Sequence, residues 1–293
     1  MTPPLLYVGA PMWAHKEWRG RIFPADVSAN QSLEAYATWC TAVEGNTTFY
    51  ATPSAESVRR WRDQTPETFR FCFKLPRTIT HEHRLRNSSE LVLAFLETIQ
   101  PLGPRVGPVQ IQLPASFSDA DFGVLVQFLD SLPTSVDWAL EVRHSAFFAG
   151  GAAERPLNDV LAERGINRVI LDSRPLFSGP AETPAEIEAF ASKPRLPVRP
   201  VATARHPIVR LIGLTDEAAT EAAWAQWLPK LVDWLDAGLV PFVFVHTPDN
   251  AASPVLNRRL HAAVRALRPQ LLPLPEPRCA EEQLGLWDGG HNA

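Results

Sequence analysis

Short, almost wholly apolar runs alternate along the chain with longer segments whose apolar residues recur at helical spacing. Runs of roughly four to eight residues rich in β-branched and aromatic side chains read as strands, and the longer amphipathic segments as helices. The first strand is predicted from Leu5 to Ala10, and its helix over LEAYATWC with Ser32 as N-cap and Glu34 in the first turn. A second strand is predicted from Ala42 to Phe49, with AESVRRWRDQ as its helix, and a third at 69–75 (FRFCFKL), followed by SELVLAFLETIQ at 89–100. VGPVQIQLP and VDWALEVRH supply strands four and five, with DFGVLVQFLDSL and PLNDVLAERG as their helices, the latter ending on Gly165 as a C′ residue. Strand six is NRVILD at 167–172, strand seven PIVRLIGL at 207–214 and strand eight VPFVFVH at 240–246. The tryptophan-rich AAWAQWLPKLVDWLDAG follows strand seven, and NRRLHAAVRAL at 257–267 closes the series.

Parallel strands require crossover connections, so this alternation points to a parallel sheet covered by helices. A tally of eight strands predicts an α/β fold, a single-domain TIM-type (β/α)8 barrel, in preference to an open doubly wound sheet. Unit six is irregular: a proline-rich connection at 175–207, with room for a short helix over TPAEIEAFA, joins strands six and seven. The barrel is assigned to residues 1–268, and 269–293 to a C-terminal tail expected to be extended or partly disordered.

Strands buried on both faces should be apolar nearly throughout, so charged and amide side chains within them need a reason. Seven of the eight strands carry such groups near their carboxyl ends: Glu44 and Asn46, Lys74, Gln110 and Gln112, Glu141 and Arg143, Asp172, Arg210 and His246. Within each doublet the spacing of two puts both members on one side of the sheet. With the other parity (Val109, Ile111, Leu113; Leu140, Val142) turned outward against the helices, the polar set is expected to face the barrel interior toward its carboxyl-end mouth. The plain alternative is a polar plug in which Glu44, Glu141 and Asp172 pair with Lys74, Arg143 and Arg210. Val, Ile or Leu would fill a barrel interior more simply, which favours a hydrophilic ligand. Loops after the strands add Trp13, His15, Trp18, Phe49, Tyr50 and His81, either as a wall of the mouth or as covers packed on the barrel top.

The composition narrows the options. With 45% hydrophobic and 20% charged residues the chain has ample material for a core. A net charge of -4 offers no basic footprint, which leaves nucleic acid unprompted rather than excluded. Cys40, Cys72 and Cys279 lack a C-x-x-C spacing and read as reduced thiols. The opening MTPPLLYVGAPMW does not have the form of a secretory signal, and no long apolar run follows, so a cytoplasmic location away from membranes is expected. His81 and His83 form an H-x-H without a diagnostic metal spacing; no metal ligand is assigned and no cofactor is required, although a divalent metal stays open. Neither a phosphate-binding glycine loop nor a G-x-S-x-G elbow is present.

Several of these segments are also familiar. Val43-Glu44-Gly45-Asn46-Thr47-Thr48-Phe49-Tyr50, Phe73-Lys74 with Thr80-His81, Gln110-Ile111-Gln112-Leu113-Pro114 and Ala139-Leu140-Glu141-Val142-Arg143-His144 resemble the YecE-like family, also called domain of unknown function 72. Val8-Gly9, Trp13 and Trp18-Arg19-Gly20 fit it too. Val209-Arg210-Leu211-Ile212-Gly213 and Val245-His246-Thr247-Pro248-Asp249-Asn250 look like the YecE branch, and the likeness runs from about 7 to 265. The chain departs from the commoner pattern at Gly45, where an apolar residue is usual, and at Ile212 and His246, where other branches often carry His and Asn. The resemblance implies a TIM barrel and carries no reaction with it.

The residues therefore favour an enzyme of hydrolase or isomerase type acting on a small polar or anionic metabolite. Lys74, Arg143 and Arg210 would bind the anion, and Glu44, Glu141 and Asp172 are the candidate acids and bases. Trp13, Trp18, Asn46, Tyr50, His81, Gln112, His246 and Asn250 are the other candidate substrate contacts. Two readings compete: a nucleic-acid-binding or -processing protein with Trp13, Trp18 or Tyr50 stacked on bases, and a non-catalytic barrel that binds through the 175–207 loop.

Overall fold

Eight strands form one parallel sheet: β1 (Tyr7–Ala10), β2 (Ala42–Gly45), β3 (Arg70–Phe73), β4 (Val109–Gln112), β5 (Trp138–Glu141), β6 (Asn167–Asp172), β7 (Ile208–Ile212) and β8 (Phe242–His246). Their order is β3-β2-β1-β8-β7-β6-β5-β4. The two outermost strands, β3 and β4, meet through bridges from Phe71 to Val106 and from Lys74 to Gln110, with the Leu75 amide donating to the Gln110 carbonyl at 2.9 Å. The sheet thus curls into a barrel. In this computed structural model, residues 5–148 and 150–279 are described.

Helices cover the outside: α1 (Ser32–Trp39), α2 (Ala55–Asp63), α3 (Ser89–Ile99), α4 (Phe122–Asp130), α5 (Glu154–Glu163), α6 (Pro184–Ser192), α7 (Glu217–Trp224), α8 (Leu228–Asp236) and α9 (Ser253–Leu267). The predicted TIM-type barrel is the fold found. No helix among the described residues is long and apolar enough to cross a membrane.

Local differences from the predicted boundaries have identifiable causes. Strand β2 stops at Gly45 and Asn46–Phe49 turns as a 3-10 helix, because Asn46 donates to the Pro11 carbonyl (2.9 Å) and Thr48 Oγ1 to the Lys74 carbonyl (2.7 Å). Ser32 is the first residue of α1 rather than its cap; a 3-10 turn at Ala29–Gln31 precedes it, and the Ser28 amide donates to the Gln31 side chain. The tryptophan-rich helix is two helices, broken by a 3-10 turn at Ala225–Trp227 just before Pro229, which has no amide hydrogen to offer. In the irregular connection, the Glu186 amide donates to Thr183 Oγ1 while the Glu186 carboxylate accepts from the Thr183 amide, and this reciprocal cap starts α6. Gly165 has φ +63, the left-handed conformation its predicted C′ position requires.

Side-chain parity divides the core. Val43, Phe71, Val109, Ile111 and Leu140 face outward and pack under the helices. Tyr7, Ala42, Cys72, Ala139, Val169, Ile208, Phe242 and Phe244 form a buried interior layer in which the Tyr7 and Phe242 rings stack at 4.5 Å. That layer floors the barrel beneath the polar groups of the mouth.

At Gly9 the ring is at its tightest, since a Cβ there would run into the Ala42 carbonyl and lie 3.1 Å from the Tyr36 hydroxyl. Gly9→Ala is expected to lower stability by about 1–3 kcal/mol through backbone displacement, read from urea denaturation; an unchanged midpoint would contradict this packing.

Beyond the barrel, 269–279 runs along α1 and α9. The Trp39 indole donates to the Arg278 carbonyl (3.0 Å) and Arg258 to the Pro275 carbonyl (2.9 Å). The rest of the expected tail, 280–293, lies outside the described residues.

Candidate functional site

One step above the apolar floor, the interior parity of six strands turns polar. Arg210 on β7 stands at the centre: Nη1 donates to Glu141 Oε2 of β5 at 2.7 Å, and Nε lies 2.6 Å from Glu44 Oε1 of β2. Arg143 Nε reaches the other Glu141 oxygen at 2.8 Å. His246 Nε2 is 2.9 Å from Glu44 Oε2, and Gln110 Nε2 donates to Glu44 Oε1 at 3.3 Å. Lys74, at the end of β3, donates from Nζ to Gln112 Oε1 at 2.8 Å. Glu44, Lys74, Glu141, Arg210 and His246 are all buried.

Charges at this depth are tolerated only if paired, and the pairing sets their protonation. Burial alone would raise the Glu44 carboxyl, but Arg210 and then His246 outweigh it and hold it well below its ordinary range. Glu141 behaves alike: against burial, Arg210, Arg143 and Lys74 bring it down to about 2. Burial lowers His246 to about 4 despite the opposing pull of Glu44, so its imidazole is neutral at pH 7. Burial and then Arg210 lower Lys74 to about 8. His81, at the rim, is lowered by burial and then by Arg143. Its ring meets Phe49 edge-on at 5.0 Å.

Two features set the cluster apart from a closed plug. Arg210, Arg143, Lys74 and Lys193 share the mouth with only two carboxylates, Glu44 and Glu141, an excess of two positive charges among the described residues. Among the described residues, Gln110 Oε1 is also a buried side-chain oxygen here without a hydrogen-bond partner, whereas Glu44 Oε2, Arg210 Nε and His246 Nε2 are held in ion pairs within the cluster. Native interiors leave few such atoms, and an acceptor of this kind can be completed by a further molecule.

The structure thus gathers Glu44, Lys74, Gln112, Glu141, Arg143, Arg210 and His246, with His81 at the edge. Asp172 departs from expectation. It shares its parity with outward-facing Ile170, and it is held by Arg174 (2.9 and 2.7 Å) and the Trp227 indole (2.8 Å) on the helix side of the sheet. Its placement among the mouth acids is corrected accordingly. Trp18 is fully buried, stacks on Tyr36 and donates to the Asn250 and Ala251 carbonyls (3.0 and 3.1 Å). Asn250 serves that contact from a left-handed turn (φ +58). Trp13 packs against Trp61 and Phe71, on the flank of the barrel, and lines a groove of about 330 Å³ there. Asn46 is spent on the Pro11 carbonyl. Of the three rings considered for base stacking, Tyr50 is 78% exposed, Trp13 partly buried and Trp18 fully buried.

Lys193 and the bond from Gln110 to Glu44 were not anticipated. Lys193 follows α6 and is half-buried; Ser173, next after β6, fixes the neighbouring Pro194 carbonyl at 2.7 Å, and Arg210 adds to burial in lowering the Lys193 ammonium. Among the described residues no group of three or more His, Cys, Asp or Glu side chains is arranged to hold a metal ion.

Fold and site together define a (β/α)8-barrel protein with a buried, positively biased polar cluster at the carboxyl ends of its strands. The chain belongs to the family described as Protein of unknown function DUF72, whose model matches residues 7–281. It is 43% identical over 272 residues to UPF0759 protein YecE of Escherichia coli (strain K12), covering 92% of this chain and 97% of that protein. UPF0759 protein YunF of Bacillus subtilis is 26% identical over 172 residues, 56% of this chain and 60% of its own length. Among solved structures, a DUF72 family protein from Thermotoga maritima MSB8 superposes with TM-score 0.63 at 20% identity, covering 90% of this chain and 98% of its own. One from Enterococcus faecalis V583 does so with TM-score 0.60 at 19% identity, covering 88% and 98%. At these identities the two structures speak to the fold alone.

Proposed function

We propose that this protein is an enzyme of isomerase or hydrolase type that binds a small anionic metabolite at the barrel mouth and acts on it by proton transfer. The excess of cations over carboxylates carries the reading: Arg210 is fully engaged by Glu44 and Glu141, which leaves Lys74, Lys193 and the outer side of Arg143 to receive a negative charge. Charge-assisted bonds of this kind suit carboxylate or phosphate groups.

Glu44 and Glu141, expected among the candidate acids and bases, take a different role in this reading. Both carboxylates are driven toward the anion, so neither stores a proton at neutral pH, and their role becomes the orientation of Arg210. Lys74, lowered to about 8 by burial and Arg210, is better suited to exchange a proton near neutrality. A cytoplasmic setting accords with Cys40 and Cys72, which are buried and unbridged.

Calorimetric titration with phosphate, and with a panel of small phosphorylated and carboxylated compounds, tests the proposal. At least one should bind at low salt, and Arg143→Ala should weaken it by about 10- to 100-fold, the loss of one charge-assisted hydrogen bond. A panel in which no anion binds even at low salt would overturn the reading.

A further inference from the structure

We propose that Lys74 is a nucleophile whose amine condenses with the carbonyl group of a small anionic aldehyde or ketone, such as an oxo acid, to form a covalent imine in the barrel mouth. The inference rests on the anion-binding reading above and names its substrate class.

Residue choice comes first. Of 28 basic Lys and Arg residues only Lys16, Lys74, Lys193 and Lys230 are lysines. Arginine does the pairing elsewhere at the mouth, where its planar fork suits carboxylates. A fixed cation at position 74 would be served by the arginine this chain uses almost everywhere. What lysine adds is an amine that can shed its proton, and two of the four lysines meet at this mouth.

The geometry supplies the second argument. Among the described residues no carboxylate lies within ion-pair distance of Lys74 Nζ, because Arg210, Arg143 and His246 already occupy the oxygens of Glu44 and Glu141. The partner of Nζ is the neutral Gln112 amide, whose oxygen takes one N–H at 2.8 Å and orients the nitrogen whether it is charged or not. Buried, without a counterion and facing Arg210 of β7 and Arg143 beyond β5, the ammonium is destabilised and the share of free amine raised, with burial and Arg210 lowering the pKa to about 8. Glu44 and Glu141 oppose this shift without cancelling it.

In the step itself the Nζ lone pair attacks the carbonyl carbon, the C–N bond forms and the π pair moves to oxygen, which takes a proton. The nitrogen loses a proton, the hydroxyl takes another from water or the Lys193 ammonium and leaves as water, and a protonated imine remains. No oxidant or reductant is consumed. With the substrate's anionic group on Arg143 and Lys193, the iminium would acidify the adjacent C–H, which is the activation an isomerase needs.

The full chain, incubated with pyruvate and sodium cyanoborohydride, tests the proposal by intact mass and peptide mapping. The reduced adduct adds the mass of pyruvate less one oxygen atom. It should form at Lys74 at least about tenfold faster than at Lys16 or Lys230, since burial and Arg210 lower the Lys74 amine to about 8 and enrich its free base at neutral pH. It should vanish in Lys74→Arg. Label spread evenly, label concentrated on Lys193, or undiminished labelling of Lys74→Arg would overturn the proposal; if that variant does not fold, the wild-type map decides alone. Phosphate titration separates the two readings. Bound phosphate with Lys74 unlabelled sinks the imine and spares the anion site. Selective labelling of Lys74 by neutral glycolaldehyde, with no anion bound, sinks the anion site and spares the nucleophile.

Discussion

Arg210→Met is expected to destabilise the fold by about 3–5 kcal/mol, because it strands Glu44 and Glu141 as buried carboxylates without their shared partner. The methionine side chain nearly conserves volume, so the loss reports charge rather than a cavity. Urea denaturation read by tryptophan fluorescence measures it, and a loss under about 1 kcal/mol would mean that Arg210 does not neutralise the pair. The companion triple substitution, Arg210→Met with Glu44→Leu and Glu141→Leu, should recover most of the stability, since buried ion triads can often be exchanged for apolar residues without penalty. Recovered stability combined with lost anion binding would separate ligand binding from mere filling of the interior.

Acid should unfold the protein in two stages. Burial leaves the folded-state His246 at about 4, below its ordinary 6.5, so the unfolded chain takes up that proton more readily and stability falls as pH drops from 6.5 through 4. Glu141 lies at about 2 in the fold against an ordinary 4.5, with Arg210 and Arg143 overcoming the upward push of burial. Its contribution is complete above pH 4.5 and lost as pH falls toward 2, on the order of 3 kcal/mol at roughly 1.4 kcal/mol per unit. Glu44 moves in the same direction. Denaturation midpoints collected from pH 7 to 3 should therefore decline throughout, and a flat profile between 6.5 and 4 would show that His246 titrates as an ordinary surface imidazole.

The barrel was legible because both of its periods are written in the chain: an apolar parity that packs outward under helices, and a second parity that turns polar only near the strand ends. Doublets such as Glu141 and Arg143 could be assigned a face from spacing alone. Asp172 could not. Its polar neighbour two residues on, Arg174, lies beyond the end of β6, and the face of β6 is fixed by its pairing with β7, where Asp172 lies opposite outward-facing Leu211. Trp18 and Asn250 are joined across more than two hundred positions, a contact that no local pattern encodes. Lys193 did leave a trace, since lysine is scarce in this chain and the connection after β6 emerges at the mouth, but scarcity acquires meaning only once position is known.

The sealed floor has a consequence for traffic. With Tyr7, Phe242 and Phe244 packed across the base of the barrel among the described residues, a molecule reaching Arg143 and Lys74 is expected to arrive and depart by one doorway. On the proposed reading, a spent molecule lingering there would block its successor, and release past the rim around His81 and Lys193 would govern turnover.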